Sequence, residues 1–306
     1  TGKEGAANVA PTWGTSTGAG VVVAVIDTGQ TNHPDLIANM PEGWGIDMIE
    51  NSATARDGDG RDMNPTDEGD WSWYPSSWHG THVAGTIGAA QNEIGISGIA
   101  PNVSIQHVRV LGAGGGSFND VIDGIRWAAG LTTSWDGRPW SAFGLTDNAH
   151  PADVINMSLG GGGGCWSTLQ DAISQARAAG TVVVTAAGNS FRDAANFTPA
   201  NCNDTVTVAA TGRVGGLANY SNFGSSIDIA APGANVVSTA KGDYATLSGT
   251  SMAAGFVAGA AALLFAAEPR VTNAQVRDIL LRTATDIGDP GRDVTFGVGL
   301  INMVAA

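Results

Sequence analysis

The sequence predicts an α/β fold, a mostly parallel central sheet with helices on both faces, in one domain over all 306 residues. Three observations carry this. Short, wholly apolar runs alternate with longer helical stretches, the pattern of parallel strands buried on both faces. The apolar share is 43%, enough for a large core. No linker, repeat or shift in composition divides the chain. Although it holds 44 glycines, no collagen period exists, and recurring apolar runs argue against disorder.

In order, residues 21–26 form a β-branched strand that ends at Asp27-Thr28-Gly29. Further strands are expected at 103–111, 153–158, 181–186, 205–210, 227–230 and 236–238. Helices are expected at 79–90, 119–129, 167–179, 250–267 and 272–283. Ser117 or Asn119 suits the cap of the second helix. Thr272 with Gln275 reads as a capping box for the last. The stretch from Met252 to Ala267 is apolar but rich in Ala and Gly, so it reads as a buried core helix, and no transmembrane helix is expected. The opening Thr1-Gly2-Lys3-Glu4 has neither initiator Met nor signal peptide and reads as a processed or trimmed start.

Charge narrows the function. With 14 basic and 28 acidic residues the net charge is −14, which disfavours nucleic acid and anionic membrane surfaces as partners. Six acids crowd into residues 57–70, offset by Arg61 alone. Clustered carboxylates with glycine turns suit calcium, which takes six to eight oxygen ligands. The expected ligands are Asp57, Asp59, the Arg61 carbonyl and Asp62, with Asp70 as a further one. A solvated acidic loop is the alternative. Cys165 and Cys202 sit in loop sequence and read as one disulfide in an oxidising compartment, or as two unrelated thiols. No Cys/His spacing suggests zinc.

Strand ends are where parallel sheets place their sites. Asp27, Ser158 and Asn189 each follow a predicted strand. HGTHVAG, residues 79–85, puts His79 at a helix start. GTSMAAG, residues 249–255, puts Ser251 at another. A serine hydroxyl needs a base to take its proton, histidine serves near neutral pH, and a buried carboxylate fixes the imidazole tautomer. A helix N-terminus beneath Ser251 supplies N–H groups to a developing oxyanion, and the Asn189 amide adds a donor.

The segments DTG at Asp27, HGTHVAG at His79, AAGN ending at Asn189 and GTSMA at Ser251 resemble the subtilisin-like serine proteases. They stand in that family's order along nearly the whole chain, with the flavour of secreted bacterial members. The resemblance implies the three-layer subtilisin-like fold and a secreted, extracellular serine endopeptidase acting through an acyl-enzyme. Asp27 would orient, His79 act as acid and base, Ser251 attack and Asn189 support the oxyanion. His82 is expected to be structural, and His33, His107 and His150 to have structural or surface roles.

The same resemblance implies that peptide or protein substrates bind as an added strand. Gly115 and Gly116 would form one edge. Ser158, Leu159 and Gly160 would form the other, continuing to a pocket lined by Ala186 and Gly188. Residues 196–199 would floor that pocket, with a cis Thr198–Pro199 bond. Small linings and no obvious acid favour a large apolar or aromatic P1 side chain. A second calcium site would use Asp35 and Asn92 with the carbonyls of Ala90, Ile94 and Ile96, although Asp35 also suits a cap. The partners expected are substrate and the chain's own propeptide, with the mature domain a monomer. One departure stands out: Gly255 and Phe256 occupy positions where the family has Pro and His. It motivates an alternative, a catalytically impaired, calcium-stabilised peptide-binding homologue. A lipase-like hydrolase is disfavoured, because no G-x-S-x-G elbow surrounds Ser251.

Overall fold

The computed structural model describes residues 9–71 and 75–306; the expectation for Thr1–Glu4 lies outside them. Strands β1 (Val22–Asp27), β2 (Ile46–Asp47), β3 (Ser104–Arg109), β4 (Val154–Met157), β6 (Val182–Ala186), β8 (Thr205–Thr211) and β9 (Ile229–Pro232) form a seven-stranded parallel sheet. Their order is β2-β3-β1-β4-β6-β8-β9. Two small antiparallel pairs stand apart: β5 (Gly161–Gly162) with β7 (Phe197–Thr198), and β10 (Val236–Ala240) with β11 (Asp243–Leu247).

Successive side chains of a strand point to opposite faces, so a strand buried on both must be apolar throughout. In β1, Val23 and Val25 pack in one cluster with helices α2 (His79–Gly88), α5 (Thr250–Ala267) and α6 (Asn273–Arg282). Ala24 and Ile26 pack in the other with α3 (Phe118–Ala128) and α4 (Ser167–Ala178). The result is three layers. A short helix α1 (Ser52–Ala55) precedes the acidic segment, with Asn51 accepting from two of its N–H groups.

By length and composition α5 is apolar enough to cross a membrane, yet 72% of it is buried inside the domain. Its small residues permit this. A Cβ on Gly259 would come within 2.7 Å of the Ile99 side chain, so helix and loop touch almost backbone to side chain.

Caps follow local chemistry. Ser117 caps α3 by accepting from the Asp120 N–H, so the cap falls on Ser117 and not on Asn119. Thr272 and Gln275 form the reciprocal capping box of α6. The strand expected at 227–230 begins two residues later, because the Asp228 carboxylate is committed to the Thr207 N–H and to two arginines. β11 escaped the periodicity, since its residues are half-exposed and its ladder pairs with β10 alone.

Candidate active site

β1 delivers Asp27, fully buried, at its carboxyl end. α2 starts at His79, and its first turn lies against that strand end. Gly80 makes the approach feasible: a Cβ there would stand 2.4 Å from the Gly29 carbonyl oxygen. His79 Nδ1 consequently lies 2.8 and 2.9 Å from the two Asp27 oxygens. The Thr28 N–H donates to Asp27 Oδ1 at 2.7 Å. The Thr28 hydroxyl donates to Asp67 Oδ2 at 2.6 Å and accepts from the Gly80 N–H. Burial pulls the His79 pKa down, but the charge and hydrogen bond of Asp27, helped by Asp70 and Asp67, raise it above its ordinary 6.5. Burial pushes Asp67 up to about 6, against its bonds from Thr28 and Gly69.

Ser251 occupies the first turn of α5, where backbone N–H groups lack helical partners. Its hydroxyl donates to the Ser158 carbonyl at 3.2 Å, while the Ser158 hydroxyl donates to the Ser251 carbonyl at 2.8 Å. Asn156 donates in turn to the Ser158 hydroxyl. This reciprocal clasp ties the end of β4 to the α5 N-terminus. Asn189 is fixed by its oxygen, which accepts from both the N–H (2.8 Å) and the hydroxyl (2.9 Å) of Thr250. Its Nδ2 thereby stays on the side of Gly249, next to Ser251. Thr28, Asp67, Asn156 and Thr250 were missed at the sequence level. For Thr28 and Thr250 the signal was their place beside Asp27 and Ser251 within the motifs.

An open cleft of about 680 Å³ runs past Ser251 and Asn189. Gly115, Gly116, Ser158, Leu159, Gly160, Ala186 and Gly188 all line it, together with Phe118, Phe197, Ala200 and Thr250. No carboxylate lines it among the described residues. The floor is fastened twice. Cys165 and Cys202 are bonded to each other. The β5–β7 pairing joins Gly161 to Thr198, beside the cis Thr198–Pro199 bond.

The other histidines have structural surroundings. His82 is buried, its Nε2 against the Ala245 carbonyl, and burial lowers its pKa to about 4. His107 is buried and lowered similarly, chiefly by burial. His33 accepts from the Asp35 N–H, and His150 stacks on Trp44 at 3.7 Å.

The acidic segment is tied to its surroundings by arginines. Asp57 pairs with the buried Arg109, which also binds Asp47 and the Ala55 carbonyl. The Arg61 guanidinium reaches Asp123 at 2.7 Å and Asp120 at 2.9 Å. Asp59 donates its N–H to the Asp57 carboxylate, and Asp62 accepts from the Asn64 N–H. Asp70 is not grouped with them: its carboxylate takes the N–H and hydroxyl of Ser77, and its charge acts on His79. Among the described residues no three of His, Cys, Asp and Glu come together as a metal would need. Of the expected ligands Asp57, Asp59, Arg61, Asp62 and Asp70, burial and then the charges of Asp59 and Asp57 push the Asp62 carboxyl up, while Asp70 stands apart on Ser77.

Asp35, Asn92 and Ile96 come together. Asp35 is fully buried and met by neutral donors: Asn92 Nδ2 at 2.8 Å, the Ile96 N–H at 2.9 Å and the Tyr244 hydroxyl at 3.1 Å. Among the described residues no hydrogen bond is donated to the carbonyls of Ala90, Ile94 or Ile96. A buried carboxylate without a cation beside free carbonyl oxygens fits the oxygen preference of calcium.

The Subtilase family model matches residues 18–299. An extracellular protease of Xanthomonas campestris is 46% identical over 98% of this chain and 53% of its own length. An extracellular basic protease of Dichelobacter nodosus is 42% identical over 95% of this chain and 51% of its own. Subtilisin Savinase of Lederbergia lenta is 38% identical over 95% and 91%. This chain thus spans about half the length of the first two relatives. Among solved structures, a protease from Pseudoalteromonas arctica superposes with a TM-score of 0.90 at 45% identity, covering 99% of this chain and 93% of that one.

Proposed function

This chain belongs to the subtilase family, and we propose on that premise that it is a secreted serine endopeptidase using Asp27, His79 and Ser251, with Asn189 as an oxyanion donor. The observation that carries this is the Asp27–His79 pair at the end of β1, with His79 on a helix that packs against α5, whose N-terminus carries Ser251 on the cleft wall.

In the reaction, the Ser251 hydroxyl swings from the Ser158 carbonyl to His79, which takes its proton as Oγ attacks the scissile carbonyl. Asp27 holds the proton on Nδ1, leaves Nε2 free to accept, and stabilises the imidazolium. The oxyanion receives the Ser251 N–H and Asn189 Nδ2, a donor already oriented by Thr250. His79 then gives its proton to the leaving amine, and water repeats the sequence on the acyl-enzyme. The raised His79 pKa places the acid limb of kcat/KM above 6.5, since only neutral imidazole acts as the base. The small-residue, carboxylate-free lining supports a large apolar or aromatic P1 side chain. Secretion is supported by the disulfide and by the relatives named as extracellular. Maturation with a propeptide and a monomeric state belong to the same reading. Ser251→Ala is expected to cut turnover of a peptide anilide by about 10⁵–10⁶. Retained cleavage, or no stoichiometric labelling of Ser251 by a sulfonyl fluoride, overturns the proposal.

Against the impaired-homologue alternative, α5 runs unbroken through Gly255 and no reacting atom is lost. We also propose calcium at Asp35, Asn92 and the carbonyls of Ala90, Ile94 and Ile96, where it would offset a buried charge. A chelator should lower the unfolding midpoint of the wild type and leave that of Asp35→Asn unmoved. Equal shifts in both, read by circular dichroism, would rule the site out.

A further inference from the structure

One edge of the cleft is built from a segment that has little rigidity of its own. Gly114 and Gly115 both adopt left-handed backbone, with φ of 83° and 116°, and nothing packs where their side chains would be. Such a segment loses much conformational freedom when ordered, and an extended peptide laid along it would bear that cost on binding.

The acidic insert braces this edge from behind. Ala113 donates its N–H to the Thr54 carbonyl at 2.9 Å, and Gly114 donates to the Asp70 carbonyl at 3.1 Å. The far end of the edge is the α3 cap, Ser117 to Asp120. Arg61 reaches out of the insert and grips that same Asp120 together with Asp123, one turn on. All three side chains are at most 5% exposed, and each carboxylate takes its own guanidinium nitrogen. Asp123 also accepts from the Trp135 N–H, and Phe143 lies 4.9 Å from the guanidinium carbon. A buried network of this kind is weak support for net stability, but it holds one geometry firmly. Arginine suits it because its planar fork meets two carboxylates at once.

We propose that Arg61 is a positioning residue for substrate binding: it locks α3 to the acidic insert and so holds the glycine edge in the shape that receives an extended peptide. The inference rests on the peptidase reading given above. It goes beyond that reading by giving the insert a role in recognition. A substrate that occupies only the P1 pocket does not use the edge and should not sense Arg61. One that extends back along the edge should.

The test compares a blocked tetrapeptide anilide with a blocked single-residue anilide sharing the same P1 residue, on wild type, Arg61→Gln and Arg61→Lys. Arg61→Gln should raise KM for the tetrapeptide about tenfold with kcat nearly unchanged, the signature of lost binding that is equal in ground and transition states. The single-residue substrate should be turned over as by wild type. Arg61→Lys keeps the charge without the fork and should fall between. An unchanged tetrapeptide KM, or an equal loss of kcat/KM on both substrates, overturns the inference while wild-type activity leaves the peptidase reading standing. A wild type inert toward both substrates overturns the reading and the inference together. Should Arg61→Gln fail to fold, Arg61→Lys carries the comparison alone, and its equality with wild type on the tetrapeptide is the negative result.

Discussion

The α5 end of the cleft and the acidic insert both sit at the carboxyl edge of the sheet, and they are held together in opposite ways. At α5 the fastening is neutral and short: Ser158 and Ser251 exchange hydrogen bonds, and Thr250 fixes Asn189. In the insert it is ionic, with Arg61 and Arg109 each gathering two carboxylates. The difference suits the work proposed for each region. An oxyanion site needs donors that are already aimed and carry no competing anion, which backbone N–H groups and a carboxamide provide. The insert is tied to its neighbours by charge: Arg109 of β3 holds Asp57, and Arg61 holds two carboxylates of α3, each buried charge being paired.

The comparison is put under most strain by Asn189→Ala. If neutral aimed donors are what the α5 end provides, kcat should fall by about 10²–10³ with KM little changed. A loss confined to KM, measured on a peptide anilide, would show that Asn189 serves substrate binding instead.

A smaller change tests whether the two regions are electrically separate. Asp70 belongs to the insert, yet its charge helps to raise the His79 pKa. Asp70→Asn keeps the hydrogen-bonding shape at Ser77 and removes the charge. A group whose charged form loses a stabilising anion has its pKa lowered, so the acid limb of kcat/KM should move down in pH, by a few tenths of a unit across solvent-screened distances. An unmoved or raised limb would mean that the insert acts on the dyad by shape alone.

The smallest effect is expected at Gly255. A Cβ there would lie 3.5–3.6 Å from Val83, Thr86 and Ile87, ordinary van der Waals contact. Gly255→Ala should therefore stabilise the fold by about 0.5–1 kcal/mol through the unfolded chain and the helix, with activity nearly unchanged. A fall in the denaturant midpoint, or a marked loss of turnover, would show that the catalytic helix needs a glycine at this point.

How far each region was legible in the sequence follows the same division. Asp27, His79, Asn189 and Ser251 could be named because each stands in a short motif at a strand end or helix start, where local chemistry dictates the conformation. The seven cleft-lining positions followed from those motifs. Thr250 and Thr28 lay one residue from what was named and were passed over, since a hydroxyl beside a catalytic group looks no different from a cap. In the insert, the composition pointed to calcium, and the arginine pairs that tie the segment to β3 and α3 were not legible. The partners of Arg61 lie 59 and 62 residues away, and Arg109 reaches Asp57 across 52. Nothing local marks such pairs.

By itself the sequence determined the alternation of buried strands and helices, the order of the candidate catalytic motifs and the identity of the groups able to react. These depend on periodicity, caps and residue chemistry, all of which act over a few residues. Only the tertiary structure decided that Arg109 of β3 pairs with Asp57 of the insert and that Arg61 of the insert pairs with Asp120 and Asp123 of α3. It alone decided, too, that the hydroxyl of Ser251 rests on Ser158. Electrostatic and hydrogen-bond partners are chosen by which surfaces the folded sheet brings within about 3 Å, and that distance is set by the packing of the whole domain.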